Sequence, residues 1–101
     1  MNDKFSRMLG LAVRMRAVVF GEGAVKDCIR RSEAKLVIVA KDASDNTKKR
    51  FRNSCEFYSA RMVEYGDRLA LGKTTGREIA VVLAVTNQGI AEELQKCLGD
   101  I

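Results

Sequence analysis

Two segments of the chain are apolar at nearly every position, and they constrain the fold more than any other feature. Residues 36–40 read Leu-Val-Ile-Val-Ala, and a second apolar run extends over residues 79–86 as far as its final threonine. A strand with one face in water alternates apolar and polar side chains, whereas a strand covered on both faces is apolar throughout. Both segments therefore predict central strands that lie between two layers of helices.

The remaining segments predict helices and shorter strands between these two. In residues 3–15, apolar side chains recur every three or four positions, which is typical of an amphipathic helix. Further helices are predicted over 23–32, over 44–55 with Ser44 as the N-cap, and after Asn87. Short strands are predicted at 17–20 and 62–64, and a short helical turn at 67–71. The alternating order predicts an α/β fold, with a mainly parallel or mixed sheet between two helical layers.

Composition narrows the possible functions. The chain of 101 residues is long enough for one domain, and no apolar run approaches the length of about 20 residues that crosses a membrane. Its first residues lack the pattern of a secretory signal, so we expect a cytoplasmic protein. The three cysteines are widely spaced and there is no histidine, which argues against a disulfide framework, a zinc site and histidine-based catalysis. We expect no cofactor and no enzymatic activity.

Carboxylates and glycines offer little support for catalysis either. Acidic residues are scattered, and most have a cation at helix spacing, as Asp27 has in Arg31. Residues 66–74 resemble a nucleotide-binding loop, but five residues separate the glycines instead of four. We interpret this segment as a loop in which Gly72 and Gly76 flank Lys73-Thr74-Thr75.

The balance of charge favours an anionic partner. Eighteen Lys and Arg against thirteen acids give a net charge of +5 and a pI of about 9.4, which suggests nucleic acid first. The helix that opens at Gly21-Glu22-Gly23 presents free N–H groups and a positive dipole end. The segment Arg77-Glu78-Ile79 leads into the last strand, and we expect it to lie at the same edge as Gly21. The predicted basic face consists of Lys26, Arg30, Lys41, Lys73 and Arg77.

Three blocks of sequence resemble a known family. The segments from Gly21 to Lys26, over residues 34–43 and over residues 71–85 are similar to the ribosomal L7Ae superfamily, which includes L30e-type proteins and Gadd-type regulators. The resemblance covers nearly the whole chain and is strongest to the small bacterial YlxQ-type proteins. It implies a three-layer α/β/α sandwich with a four-stranded mixed sheet, as one domain over residues 1–101. It also implies binding to RNA, typically to kink-turns, which are sharply bent helices with tandem sheared G·A pairs.

The resemblance also suggests how RNA would be contacted. In the family, a Gly-x-Asn-Glu-x-x-Lys segment opens the second helix and enters the RNA groove, where Asn and Glu read guanines. Gly21 matches the first glycine, but Gly23, Ala24 and Asp27 stand at the Asn, Glu and Lys positions. Because these side chains cannot make the same hydrogen bonds, we expect altered or relaxed specificity. In the loop that covers a protruding nucleotide in the family, this chain has Arg77, Glu78 and Ile79.

The sequence therefore predicts a non-catalytic module for structured RNA, such as an rRNA or mRNA element, with the ribosome as a further partner. The predicted RNA-binding residues are Gly21, Glu22, Gly23, Lys26, Arg30, Lys41, Arg77, Glu78 and Ile79. The alternative is a protein-interaction adaptor, as in the Gadd-type branch, and the absence of guanine-reading side chains is its main support.

Overall fold

Helices and strands alternate along the chain in the computed structural model, which describes residues 1–99. The order is α1 (Asp3–Arg14), β1 (Val18–Phe20), α2 (Glu22–Arg30), β2 (Leu36–Val39), α3 (Asp45–Phe57), β3 (Met62–Glu64), α4 (Arg68–Thr75), β4 (Val82–Val85) and α5 (Gln88–Cys97). This is the order that the apolar periodicity predicts.

The four strands form one mixed sheet in the order β1-β4-β2-β3. Strand β4 is antiparallel to both of its neighbours, and β2 is parallel to β3. The carboxyl ends of β1, β2 and β3 therefore lie at the same edge as the start of β4. We call this the carboxyl edge; it is marked by Phe20, Val39, Glu64 and Val82.

Helices cover both faces of the sheet and complete a three-layer α/β/α sandwich. Leu36 and Ile38 face a core formed with α1, α4 and α5, whereas Val37 and Val39 face a core formed with α2 and α3. All four side chains are fully buried. The prediction of a strand over residues 36–40 that is covered on both faces is confirmed, with the strand ending at Val39, and so is the mixed α/β fold.

Side-chain caps fix the beginnings of four helices. In each case the N-cap side chain accepts a hydrogen bond from a backbone N–H group in the first turn; the caps are Asn2 for α1, Ser44 for α3, Asp67 for α4 and Asn87 for α5. The predicted caps at Ser44 and Asn87 are thus confirmed. Helix α2 begins differently, because its N-cap is Gly21, at φ 91° and without a side chain to cap it.

The glycine-rich segment differs from its prediction. The predicted loop around Lys73 is helical, since α4 continues to Thr75 and ends at Gly76, whose φ of 80° is left-handed. Gly72 is buried inside this helix, and a Cβ added there would lie 2.7 Å from the carbonyl oxygen of Glu78. The glycine therefore permits close packing rather than a turn. Strand β4 is also shorter than predicted, because residues 79–81 lead into the sheet without belonging to the strand.

The other predicted boundaries lie within a few residues of the observed ones. None of the helices in residues 1–99 has the length and apolar character that crossing a membrane requires.

Candidate nucleic-acid interface

The first turn of α2 is open at the carboxyl edge. Residues Gly21 to Ala24 are exposed, and a Cβ added at Gly21 or Gly23 would meet no atom within 4 Å. The first N–H groups of a helix have no intrahelical acceptor, and the helix dipole places partial positive charge there. Since no side chain caps this end, the backbone can donate hydrogen bonds to an anion from outside.

Two acids at this edge are already compensated within the protein. Glu22 accepts from Arg50 of α3 in an ion pair, with the Thr47 hydroxyl 3.5 Å from its second oxygen. Asp42 accepts from the backbone N–H of Arg68 at 3.0 Å and from its Nε at 3.3 Å. These contacts reduce the negative potential that the two carboxylates would otherwise present to a ligand.

Three cations at the same edge are uncompensated. Lys26, Lys41 and Arg77 are exposed and form no ion pair with any residue in 1–99. Lys26 lies one turn into α2, and Lys41 directly follows the end of β2, where its N–H donates to the carbonyl of Gly66 at 2.8 Å. Positive potential therefore remains at an edge where two of the nearby carboxylates are engaged.

Arg77 joins the segment before β4 to the start of α2. Its guanidinium carbon lies 3.8 Å from the centroid of the Phe20 ring, which is a cation–π contact. A cavity of about 360 Å³ at this edge is lined by Phe20, Gly21, Arg77 and Ile79 among others. Another cavity, of about 390 Å³, lies at the opposite edge of the sheet. Ile79 is 50% exposed, so the cavity at the carboxyl edge has one apolar wall and one cationic wall. The structure thus brings Gly21, Glu22, Arg77 and Ile79 together.

The predicted basic face is smaller than the sequence suggested. Arg30 lies at the far end of α2, about 13 Å along the axis from Gly21, and it pairs with Asp27. Asp27 was expected to pair with Arg31, one residue further on. Lys73 lies in a groove beside α1 instead of beside Lys26. The basic face is therefore divided, with Lys26, Lys41 and Arg77 at the carboxyl edge.

Two features of this edge were not predicted from the sequence. The stacking of Arg77 on Phe20 and the pairing of Arg50 with Glu22 join residues that are 57 and 28 positions apart. Phe20 is the last residue of β1 and directly precedes Gly21, so the sequence does indicate that Phe20 lies beside the start of α2. No local pattern indicates its cationic partner.

Cysteine thiols in the core are held protonated. Burial raises the pKa of Cys55 from 9.0 to about 11, and burial together with the charge of Glu33 raises the pKa of Cys28. Both thiols are consequently poor nucleophiles at neutral pH.

A family model decides the classification of the chain. The model of the ribosomal protein L7Ae/L30e/S12e/Gadd45 family matches residues 3–95. The chain belongs to this family. Among curated relatives of this L7Ae-type protein is the RNA-binding protein YlxQ of Bacillus subtilis (strain 168), which is 45% identical over 87 residues, covering 86% of this chain and 87% of the relative. The RNA-binding protein YlxQ of Enterococcus faecium is 28% identical over 96 residues, covering 95% and 92%. The predicted resemblance to YlxQ-type proteins is confirmed.

Solved structures share the L7Ae-type fold. A protein of unknown function from Bacillus halodurans C superposes with a TM-score of 0.92 at 30% identity, over 99% of this chain and 100% of that one. The 15.5 kD RNA binding protein of Giardia lamblia superposes with a TM-score of 0.79 at 22% identity, over 97% of this chain and 88% of that one. The second likeness establishes the fold alone.

Proposed function

We propose that this chain is a non-catalytic module that binds structured RNA at the carboxyl edge. The bound RNA would contact the open start of α2 at Gly21–Gly23, the cations Lys26, Lys41 and Arg77, and the exposed side chains of Glu78 and Ile79. The relatives named as RNA-binding proteins and the membership of the L7Ae-type family support this function.

The distribution of charge at the edge is the observation that carries the proposal. An open helix N-terminus and three cations that form no ion pair within residues 1–99 lie at an edge where Glu22 and Asp42 are engaged with Arg50 and Arg68. A phosphate group approaching this edge would find donors and cations while two of the nearby carboxylates are already neutralised. Arg30 contributes less than the sequence suggested, because of its distance and its pairing with Asp27.

Recognition at this edge would depend on RNA shape more than on base identity. Gly23 and Ala24 have no side-chain polar atom, so they cannot read a guanine edge. Folded RNA is recognised largely through the placement of its phosphates and through unstacked bases. Ile79 and the Arg77–Phe20 stack supply an apolar and a planar surface for such a base. Glu78 is exposed and forms no ion pair within residues 1–99, so its carboxylate is free to accept a hydrogen bond from an amino group of a base.

The experiment compares a kink-turn RNA with a plain duplex of equal length over a series of salt concentrations. Tighter binding to the kink-turn would show that the helix backbone and the loop supply specificity without the family's Asn and Glu. Equal binding with a steep dependence on salt would reduce the function to general phosphate attraction. Absence of binding to both RNAs at low salt would refute the proposal.

Charge reversal at Arg77 tests the position of the interface. We expect Arg77→Glu to weaken binding at least about tenfold and to lower the slope of log K against log salt by about 1. Arg61→Glu is the matched control, because Arg61 is also exposed and unpaired within residues 1–99 but precedes β3 at the opposite edge. Equal losses in the two variants would contradict an interface at the carboxyl edge.

An exposed aromatic pair favours the second candidate function, a protein-interaction adaptor. Phe57 is 80% exposed, and its ring lies 4.8 Å from that of Tyr58, edge to face, at the end of α3. Exposed aromatic side chains are enriched at protein interfaces. This function requires a protein complex that survives nuclease treatment and moderate salt and that Phe57→Ala disrupts. RNA that disappears with nuclease and leaves no protein partner would exclude it.

A further inference from the structure

A second basic surface lies on the other helical layer, in the groove between α1 and α4. The groove has a volume of about 470 Å³ and is lined by Ser6, Arg7, Gly10, Arg14, Lys73 and Thr74. Gly10 lies between Arg14 and α4, since a Cβ there would lie 3.8 Å from Arg14 Nη1 and 3.9 Å from the carbonyl oxygen of Thr74, at ordinary van der Waals distance. The lining thus combines three small residues with two arginines and one lysine.

The three cations of this groove are uncompensated. Arg7, Arg14 and Lys73 are exposed, they form no ion pair with any residue in 1–99, and no acidic residue of that range lines the groove. Arg7 and Arg14 are seven residues apart on α1, which places them on the same side of the helix about 10 Å apart along its axis. A duplex carries several phosphates over this length.

The groove adjoins the carboxyl edge through α4. Lys73 lies in the last turn of α4, four residues before Arg77, and the N–H of Arg77 donates to the carbonyl of Gly72 at 2.8 Å. Arg77 in turn stacks on Phe20 beside the start of α2. The unpaired cations therefore extend from the α2 layer, past the segment before β4, to the α1 layer.

We propose that this groove, formed by Arg7, Arg14 and Lys73 around Gly10, is a second contact surface for the phosphates of a bound RNA. It rests on the RNA binding proposed above and extends it: an RNA long enough to pass Arg77 lays its backbone along α1. The groove offers space beside the three cations for a sugar-phosphate chain, and no carboxylate of residues 1–99 lines it, so their charge is available to the phosphates.

The test uses the intact chain and two kink-turn RNAs, one with stems too short to pass Arg77 and one with an extended stem. The groove variant is Arg7→Ala/Arg14→Ala/Lys73→Ala. The control variant, Arg31→Ala/Arg61→Ala/Lys49→Ala, removes the same number of arginines and lysines from exposed positions without ion pairs in residues 1–99. Thermal unfolding of both variants verifies that they fold.

We expect the groove variant to bind the extended RNA at least about tenfold more weakly than the control variant, with the slope of log K against log salt reduced by about 2. Both variants should bind the short RNA equally. The amide resonances of Gly10 and Thr74 should shift on addition of the extended RNA and stay unchanged with the short one.

The outcomes separate this proposal from the function on which it rests. If the wild-type chain binds the short RNA but the groove and control variants bind the extended RNA equally, only the groove proposal is wrong. If the wild-type chain binds neither RNA, both proposals fail. If polyglutamate shifts the Gly10 and Thr74 resonances as strongly as the extended RNA does, the groove is a general anion surface and the proposal is overturned.

Discussion

Gly72→Ala should destabilise the protein, although alanine is the better helix former. Gly72 lies within α4, and an added Cβ would lie 2.7 Å from the carbonyl oxygen of Glu78 and 2.8 Å from that of Arg77. Both oxygens belong to the backbone, so no side-chain rotation can relieve the contact. The segment that carries Arg77, Glu78 and Ile79 would have to move away from the helix.

The size of the destabilisation by Gly72→Ala follows from two opposing contributions to the free energy of unfolding. Replacing glycine by alanine within a helix gains about 1 kcal/mol, whereas overpacking a close contact costs about 1–3 kcal/mol and occasionally more. Because the clash at Gly72 is with three backbone atoms of Arg77 and Glu78, we place its cost near the upper end. The net loss is then about 1–2 kcal/mol. For a domain of this size, that corresponds to a fall in Tm of about 5–15 °C.

Gly10→Ala is the matched control. Gly10 is also inside a helix, but its added Cβ would approach no atom closer than 3.8 Å, which is ordinary van der Waals contact. We expect this variant to gain about 1 kcal/mol and to unfold about 4–8 °C higher than the wild type.

Thermal unfolding followed by circular dichroism, together with urea titration, measures both variants. A Tm for Gly72→Ala at or above that of the wild type would refute the argument, because it would mean that the neighbouring carbonyls do not resist the methyl group. The displacement of Arg77 adds a second readout: RNA affinity should fall for Gly72→Ala at temperatures where the variant remains folded, and should be unchanged for Gly10→Ala with a short RNA.

Three further predictions concern the core thiols and a strained turn. In the native protein, Cys28 and Cys55 should react with a thiol reagent at pH 8 far more slowly than in urea, since both are buried and have raised pKa values; equal rates would contradict their burial. The pKa of Cys55 is about 11 in the folded state and 9.0 as a free thiol. Deprotonation of this thiol should therefore leave the free energy of unfolding unchanged below pH 9 and lower it by up to about 2–3 kcal/mol as the pH rises towards 11. Urea titrations over this pH range measure the loss. Ser59, at φ 58°, occupies the left-handed region, so Ser59→Gly should raise the free energy of unfolding by about 0.5–1 kcal/mol; a lower Tm would show that the serine side chain compensates for the strain.

The fold was predictable because the two buried strands carry an unambiguous signal. The uninterrupted apolar run at residues 36–39 requires cover on both faces, and the helical periodicity on each side supplies the helices that provide it. The length of α4 was not predictable. Glycine is a strong signal for a turn, and Gly76 does end the helix, but Gly72 serves close packing against residues that follow it. Sequence spacing alone does not separate these two uses of glycine.

The candidate interface was predictable only in part, for a related reason. Gly21 and Arg77 were expected at one edge, and they meet there because β4 is antiparallel to β1, a direction that the prediction of a mainly parallel or mixed sheet left open. The position of a side chain around its helix is less constrained by such reasoning. Lys73 was expected in a loop beside Lys26, but as a residue of α4 it lies against α1 with Arg7 and Arg14.

The number of cations in a segment is a poor guide to where an anion binds. Helix α3 has the densest group, yet Arg50 pairs with Glu22, and both Lys48 and Arg52 pair with Glu64. Each of these surface pairs contributes about 0–1 kcal/mol, but a phosphate must displace a carboxylate to use the cation, so the gain from binding is reduced. Lys26, Lys41 and Arg77 carry no such cost within residues 1–99. The attraction for RNA should therefore be centred on the carboxyl edge, and the paired cations of α3 should contribute little to the salt dependence of binding.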